Sequence, residues 1–139
     1  MSQPTPRHPS STRHKARKRA LDILFESELR DRPVLVTLAE RTDAAEPPVR
    51  DYTAEIVRAY HAHADDVDAR ISAALAQDWS LDRMPRVDRC ACRIAVTEMA
   101  FLDLPVGVAV TEAIALVEEL STDESPTFVS GVLNNVAID

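Results

Sequence analysis

Glycine is scarce in this chain, and the scarcity limits the folds that the chain can adopt. Its 139 residues include two glycines, Gly107 and Gly131. Phosphate-binding loops and dinucleotide-binding turns each need two or three glycines within about eight residues, so the sequence excludes both kinds of site. Sheets with many tight turns are disfavoured for the same reason, whereas the alanine-rich and leucine-rich stretches between prolines favour helices. We therefore predict an all-α fold, a compact bundle of six to seven helices.

Apolar residues recur at steps of three and four in each of these stretches, which is typical of amphipathic helices. The first helix is expected to begin at Ser11 or Thr12, either of which can act as its N-cap. Pro47-Pro48 are predicted to occupy the first turn of a later helix, and a break near His63 is preferred to one long helix. The helix that Pro85 opens is apolar on most sides, so we expect it to be central and buried.

The remaining boundaries define the predicted domain organisation. Ser125-Pro126 indicates the start of the last helix, with Ser125 as its N-cap. The loop around Trp79 is a natural divide between two sets of helices. We expect a disordered basic lead-in over residues 1–11 and one helical domain over residues 12–139, with subdomains at about 12–77 and 78–137.

Charge is distributed unevenly along the chain. Residues 1–19 carry six Lys and Arg and no acid, whereas the whole chain has a formal net charge of −7. Residues 94–139 carry eight acids and no Lys or Arg. Since an acidic protein repels polyanions, any nucleic-acid contact must be concentrated at the basic N-terminal end. The cations at the start of the first helix are a plausible phosphate site, and a solvated basic tail is the alternative.

No constellation of residues supports catalysis or metal binding. His61 and His63 are two residues apart and face different ways on a helix. Cys90 and Cys92 also point apart, cannot form a disulfide with each other, and are interpreted as small packing residues. Arg93 on the same apolar helix is expected to pair with a carboxylate of a neighbouring helix. We predict no enzyme activity and no cofactor, and, without a signal peptide or a membrane span, a cytoplasmic location.

Five stretches carry the most specific signal: residues 13–29 (RHKARKRALDILFESEL), 79–84 (WSLDRM), 87–99 (VDRCACRIAVTEM), 104–120 (LPVGVAVTEAIALVEEL) and 128–133 (FVSGVL). In this order and at this spacing they resemble the NusB family of transcription antitermination factors, over about residues 13 to 137. Three positions depart from the family pattern. Thr111 and Ser130 stand where the family usually has asparagine, and Cys92 stands where it often has leucine.

The resemblance implies a fold, a function and a set of partners. The fold is all-helical, with two three-helix-like subdomains and no catalytic site. Family members bind a boxA element in ribosomal RNA transcripts together with a small-subunit ribosomal protein, NusE. The pair helps to load a complex that keeps RNA polymerase from terminating. Members range from monomers to homodimers, so the oligomeric state stays open.

The resemblance also implies roles for individual residues. The family's arginine-rich helix start and the turn before the last helix face RNA, and part of the first helix contacts the ribosomal protein. The implied RNA contacts are Arg13, His14, Lys15, Arg17, Lys18, Glu124 and Phe128. The implied contacts with NusE are Phe25, Leu29 and Asp88.

An RNA-independent helical adaptor between proteins is the alternative function. Charge reversal at Arg13 and Arg17 discriminates the two: an RNA-binding protein would lose RNA binding with an intact fold, and an adaptor would have no RNA binding to lose. About four usable cations give a slope of log affinity against log salt of roughly −3 on single-stranded RNA. We therefore expect the chain alone to bind RNA modestly and to need a partner.

Overall fold

The computed structural model describes residues 11–138 of the chain. Within this range it contains seven α-helices, one short 3-10 helix and no strand, which confirms the all-α prediction. The helices are α1 (Thr12–Leu29), α2 (Val34–Ala44), α3 (Asp51–Ala62), α4 (Ala64–Ala74), α5 (Arg86–Phe101), α6 (Val106–Leu120) and α7 (Ser125–Asn134), with the 3-10 helix (Leu81–Arg83) before α5. Nearly all of the lead-in that we predicted as disordered, residues 1–10, lies outside the described residues.

Helix α5 is the centre of the bundle. It packs against α1, α3, α4, α6 and α7, and most of its residues are buried. Cys90 and Cys92 are free thiols with no exposed surface, and burial raises the pKa of the Cys90 thiol to about 12. The predictions of a central buried helix and of two packing cysteines are confirmed.

Local sequence signals fix several helix ends. Ser11 caps α1, since its hydroxyl accepts a hydrogen bond of 3.1 Å from the backbone N–H of His14. Helices α3 and α4 separate at His63, where φ −127° and ψ 24° leave helical geometry. The predicted cap and the predicted break are both confirmed.

Two predicted helix starts were wrong by one to four residues. Pro47 and Pro48 precede α3, which begins at Asp51. A proline holds the residue before it in an extended conformation, so Pro48 keeps Pro47 out of a helical turn. Ser125 is the first residue of α7 rather than its N-cap, because its buried hydroxyl turns inward to donate to Asp88.

The packing places the start of α1 beside helices from both parts of the chain. Helix α1 contacts α2, α3, α5 and α6, and near its start Ala16 accepts a hydrogen bond from Thr53 of α3 while Arg17 donates to Glu98 of α5. The division into two subdomains near residue 78 stays a prediction, because one apolar core runs from α1 to α7 across that boundary. Among the described residues, no helix is long and apolar enough to cross a bilayer.

Candidate nucleic-acid interface

The basic residues at the start of α1 fall into two groups with different environments. His14 and Arg17 are buried, with 1% and 3% of their surface exposed. The other basic residues are wholly or partly exposed, and we call them the exposed cations of α1: Arg13, Lys15, Lys18 and Arg19. The basic cluster is therefore an interior pair next to a surface patch.

Arg17 belongs to an ion-pair network in the core. Its Nε donates to Glu98 Oε2 at 2.7 Å, and its Nη1 lies 3.3 Å from Glu112 Oε1. Tyr52 also donates its hydroxyl to Glu98. Burial raises the pKa of the Glu98 carboxyl, and Arg17 and Tyr52 act against this rise. Burial together with the hydrogen bond to Glu98 raises the pKa of Tyr52 to about 12, so its phenol remains a donor.

His14 faces a third glutamate, Glu119, at the edge of the same network. Its Nε2 is 2.9 Å from Glu119 Oε1, and its Nδ1 is 4.0 Å from Glu112 Oε1. Lys18 donates to the other carboxylate oxygen of Glu119. The Glu119 side chain is 32% exposed, so this pair lies where the buried network meets solvent.

The prediction that His14 and Arg17 face RNA does not fit their burial, and their contact with RNA stays a prediction. Arg17 lies four residues before Leu21 and seven before Leu24, which puts it on the apolar stripe of α1. That spacing is the sequence signal that identifies a buried arginine here. Charge reversal at Arg17 would place a third carboxylate beside Glu98 and Glu112, so it cannot leave the fold intact.

The exposed cations of α1 form the surface that can meet a polyanion. Lys15, Lys18 and Arg19 are spaced i, i+3 and i+4, so they share one side of the helix. Arg13 lies at the helix start, with its guanidinium carbon 3.8 Å from the centre of the Tyr52 ring. A cation–π contact at this distance holds the guanidinium over the ring. Sequence reasoning did not identify the role of Tyr52, because its partner lies on another helix.

The second predicted RNA-facing region spans the turn before α7 and the first turn of α7. Glu124 is exposed and Phe128 is half-buried. The ring of Phe128 meets Trp79 edge to face, with 6.3 Å between ring centres. Arg83 lies over the other aromatic ring, 4.8 Å from the centre of Trp79. Sequence reasoning did not place Trp79 and Arg83 near Phe128, because the contact that joins them, between Trp79 and Phe128, spans residues that are distant in sequence.

The three residues predicted to contact NusE are placed differently. Leu29 is 59% exposed, and Phe25 is half-buried with the Arg86 guanidinium 5.6 Å from its ring centre. Asp88 is 1% exposed and accepts hydrogen bonds from Ser121 at 2.7 Å and from Ser125 at 3.0 Å. Asp88 therefore fixes the α6–α7 turn from inside, and the prediction of a direct contact does not fit this burial.

Arg93 pairs with carboxylates of two neighbouring helices, which confirms its predicted structural role. Its Nε donates to Asp68 of α4 at 2.9 Å, and its Nη1 donates to Glu28 of α1 at 3.0 Å.

His63 stacks on Phe101, with 3.8 Å between ring centres. Within residues 11–138, no group of three His, Cys, Asp or Glu side chains is arranged to hold a metal ion.

Comparison with known proteins gives a consistent result at the level of sequence. The model of the NusB family matches residues 14–138. The transcription antitermination protein NusB of Nocardioides sp. (strain ATCC BAA-499 / JS614) is 46% identical over 127 residues, which cover 91% of this chain and 93% of the relative. The protein of the same name from Salinispora arenicola is 46% identical over 129 residues, which cover 90% of this chain and 94% of the relative.

Solved structures show the same similarity in three dimensions. The structure of T. maritima NusB superposes with a TM-score of 0.76 at 29% identity and covers 89% of each chain. A chain in the crystal structure of the antitermination factors NusB and NusE in complex with dsRNA superposes with a TM-score of 0.75 at 26% identity. That match covers 89% of this chain and 96% of the other.

Proposed function

The chain belongs to the NusB family, and we propose that it is an RNA-binding transcription antitermination factor. It binds a boxA-type element of ribosomal RNA transcripts together with the small-subunit ribosomal protein NusE. The two join a complex that modifies RNA polymerase, in the cytoplasm, and the chain acts by binding rather than by catalysis. The observation that carries the proposal is 46% identity to a transcription antitermination protein NusB over 91% of the chain.

The exposed cations of α1 are the surface that we assign to the RNA backbone. Lys15, Lys18 and Arg19 present their charges on one side of the helix, and Arg13 presents a planar guanidinium at its start. Arginine and lysine side chains bind phosphates, and the arginine guanidinium plane can also stack on unpaired bases. Four such contacts are the most that this surface can make, and they would give a salt slope of roughly −3, so binding by this chain alone is modest.

The surface that we assign to NusE lies on the other half of the same helix. Leu29 and Phe25 are near the C-terminal end of α1, and the exposed cations of α1 are near its N-terminal end. An 18-residue helix is about 27 Å long at 1.5 Å per residue. A partner that binds one half can therefore hold RNA against the other half, which raises the effective concentration of RNA without new contacts from this chain.

Fluorescence anisotropy with a short boxA-type RNA and a scrambled RNA tests the proposal. Each RNA is titrated with the chain, with and without NusE, at two salt concentrations. We expect selective binding of the boxA-type RNA that NusE strengthens and salt weakens. Equal binding of the two RNAs under all four conditions would contradict the proposal, and NusE binding without RNA selectivity would favour a protein adaptor.

A further inference from the structure

One carboxylate on α6 contacts two basic residues at the start of α1. Glu119 Oε1 lies 2.9 Å from His14 Nε2, and Glu119 Oε2 accepts a hydrogen bond from Lys18 Nζ. These hydrogen bonds, first that of Lys18 and then that of His14, lower the pKa of the Glu119 carboxyl. Glu119 is therefore an anion at neutral pH, seated on the surface that RNA phosphates would need.

The position of Glu119 separates it from the other carboxylates of the network. Glu98 and Glu112 neutralise Arg17 in the interior, with 1% and 3% of their side chains exposed. Glu119 and Lys18 are 32% and 41% exposed. Exposed ion pairs contribute little to stability, so the contact between Glu119 and Lys18 can open while the fold stays intact.

A carboxylate and a phosphate bind the ammonium group of a lysine in the same way. Each supplies anionic oxygens that accept hydrogen bonds from the ammonium group. An RNA phosphate that binds Lys18 must therefore either replace Glu119 or lie beside it against charge repulsion. Both routes make the RNA contact weaker than a contact with an unpaired lysine.

We propose that Glu119 is an internal competitor of RNA, which sets the affinity of the α1 surface by occupying Lys18. The inference rests on the proposed RNA-binding function and adds the residue that regulates it. Because a phosphate contact carries no base information, the competition lowers affinity for every RNA sequence by the same factor. Weak sequence-independent binding is suppressed, and selective contacts elsewhere decide which RNA stays bound.

The test compares Glu119→Gln with Glu118→Gln. Glu118 is the adjacent exposed residue of α6, so the control removes the same charge from nearly the same place. Affinity for the boxA-type and scrambled RNAs is measured by anisotropy in the presence of NusE at several salt concentrations. We expect Glu119→Gln to bind both RNAs about threefold to fivefold more tightly, as for release of an exposed ion pair. Its salt slope becomes steeper by about 0.7, the value for one more phosphate contact.

A Lys18→Met background shows whether the effect passes through Lys18. In that background, Glu119→Gln and Glu118→Gln should have equal affinities, because no ammonium is left to release. Far-ultraviolet circular dichroism and urea unfolding check that each variant is folded. Glutamine keeps the size and the acceptor oxygen of glutamate, so Glu119→Gln should fold as the wild type does.

The outcomes separate failure of this inference from failure of the proposed function. If the wild type binds boxA-type RNA selectively and the two glutamine variants bind it equally well, the competition is overturned and the function stands. A gain for Glu119→Gln that persists in the Lys18→Met background overturns the role of Lys18. If wild type and Glu118→Gln bind neither RNA, the proposed function fails and the competition fails with it.

Discussion

Arg17 on α1 and Glu98 on α5 form an ion pair inside the fold, with 2.7 Å between Nε and Oε2 and side chains 4% and 1% exposed. Glu112 of α6 lies 3.3 Å from the same guanidinium. One guanidinium thus contacts two buried carboxylates and ties α1 to both α5 and α6. Tyr52 completes the network from α3, through its hydrogen bond to Glu98.

Substitution of Arg17 should destabilise the protein strongly, whereas substitution of Arg13 should not. Arg17→Met leaves Glu98 and Glu112 buried without their cation, which we expect to lower the free energy of unfolding by about 3–5 kcal/mol. Arg13→Met removes an exposed charge and one ring contact, and we expect a loss of less than about 1 kcal/mol. Urea unfolding of the two variants measures both values. Equal stability of Arg17→Met and the wild type would contradict the network.

A cluster around Glu28 should make stability depend on acid pH. Burial acts to raise the pKa of Glu28, but hydrogen bonds from Arg89 and Arg86 outweigh it and lower the pKa to about 2. An unfolded glutamate titrates near about 4.3. The stabilisation is therefore fully present above about pH 5 and is lost as the pH falls toward 2.

Glu28→Gln is the variant that isolates this contribution. We expect it to lower the free energy of unfolding by about 2 kcal/mol at pH 7, less than for a fully buried pair because Glu28 is partly exposed. The difference from the wild type should shrink as urea unfolding is repeated from pH 6 down to pH 2.5. The exposed Glu55→Gln serves as the control. A difference that stays constant over this range would show that Glu28 does not carry the acid dependence.

Leu29 should matter for NusE and not for the fold. Leu29→Asp places a charge on a side chain that is 59% exposed, so we expect a change in the free energy of unfolding of less than about 0.5 kcal/mol. The enhancement of RNA binding by NusE should fall at least about tenfold, the cost of a charge in an apolar contact. Val106→Asp, at a side chain that is 45% exposed, is the control. Undiminished enhancement in Leu29→Asp would remove Leu29 from the partner surface.

The two cysteines should be unreactive in the folded protein. Burial raises the pKa of Cys90 to about 12 and also raises the pKa of Cys92, so neither forms a thiolate at pH 8. We expect an aromatic disulfide reagent to label both thiols in 6 M urea, roughly the concentration that unfolds a small domain, and neither within minutes in buffer. Rapid labelling of one thiol in buffer would contradict the packing of α5.

The sequence predicted what depends on local pattern. The apolar residues on most sides of the helix around Ile94 and Ala95 identified α5 as the central helix, because a helix with this pattern must be buried. The cap at Ser11 and the break at His63 also follow from residue type and spacing over a few positions. Predictions of this kind were correct to within a few residues, with the largest error at Pro47-Pro48.

The candidate site depended on pairs that are distant in sequence. Arg17 meets Glu98 across 81 residues, and His14 meets Glu119 across 105 residues. The spacing of apolar residues along a helix does not show which carboxylate pairs with which cation in the folded protein. The charge asymmetry was the one available signal for these pairs. The start of the chain is basic and its C-terminal third is acidic without Lys or Arg, so ion pairs between the two parts are expected. The cations of α1 were therefore identified correctly as a cluster, while its division into buried and exposed members was not.

The salt dependence of RNA binding by a triple variant tests the central claim most directly. Arg13→Met, Lys15→Met and Lys18→Met together remove three of the exposed cations of α1 and keep the ion pairs of Arg17 with Glu98 and Glu112. With NusE present, we expect selective boxA-type RNA binding to weaken and the slope of log affinity against log salt to become shallower by about 1.4, at 0.7 for each phosphate contact of Arg13 and Lys15, because Glu119 already occupies Lys18. An unchanged slope in a folded triple variant would show that RNA is bound elsewhere on the protein.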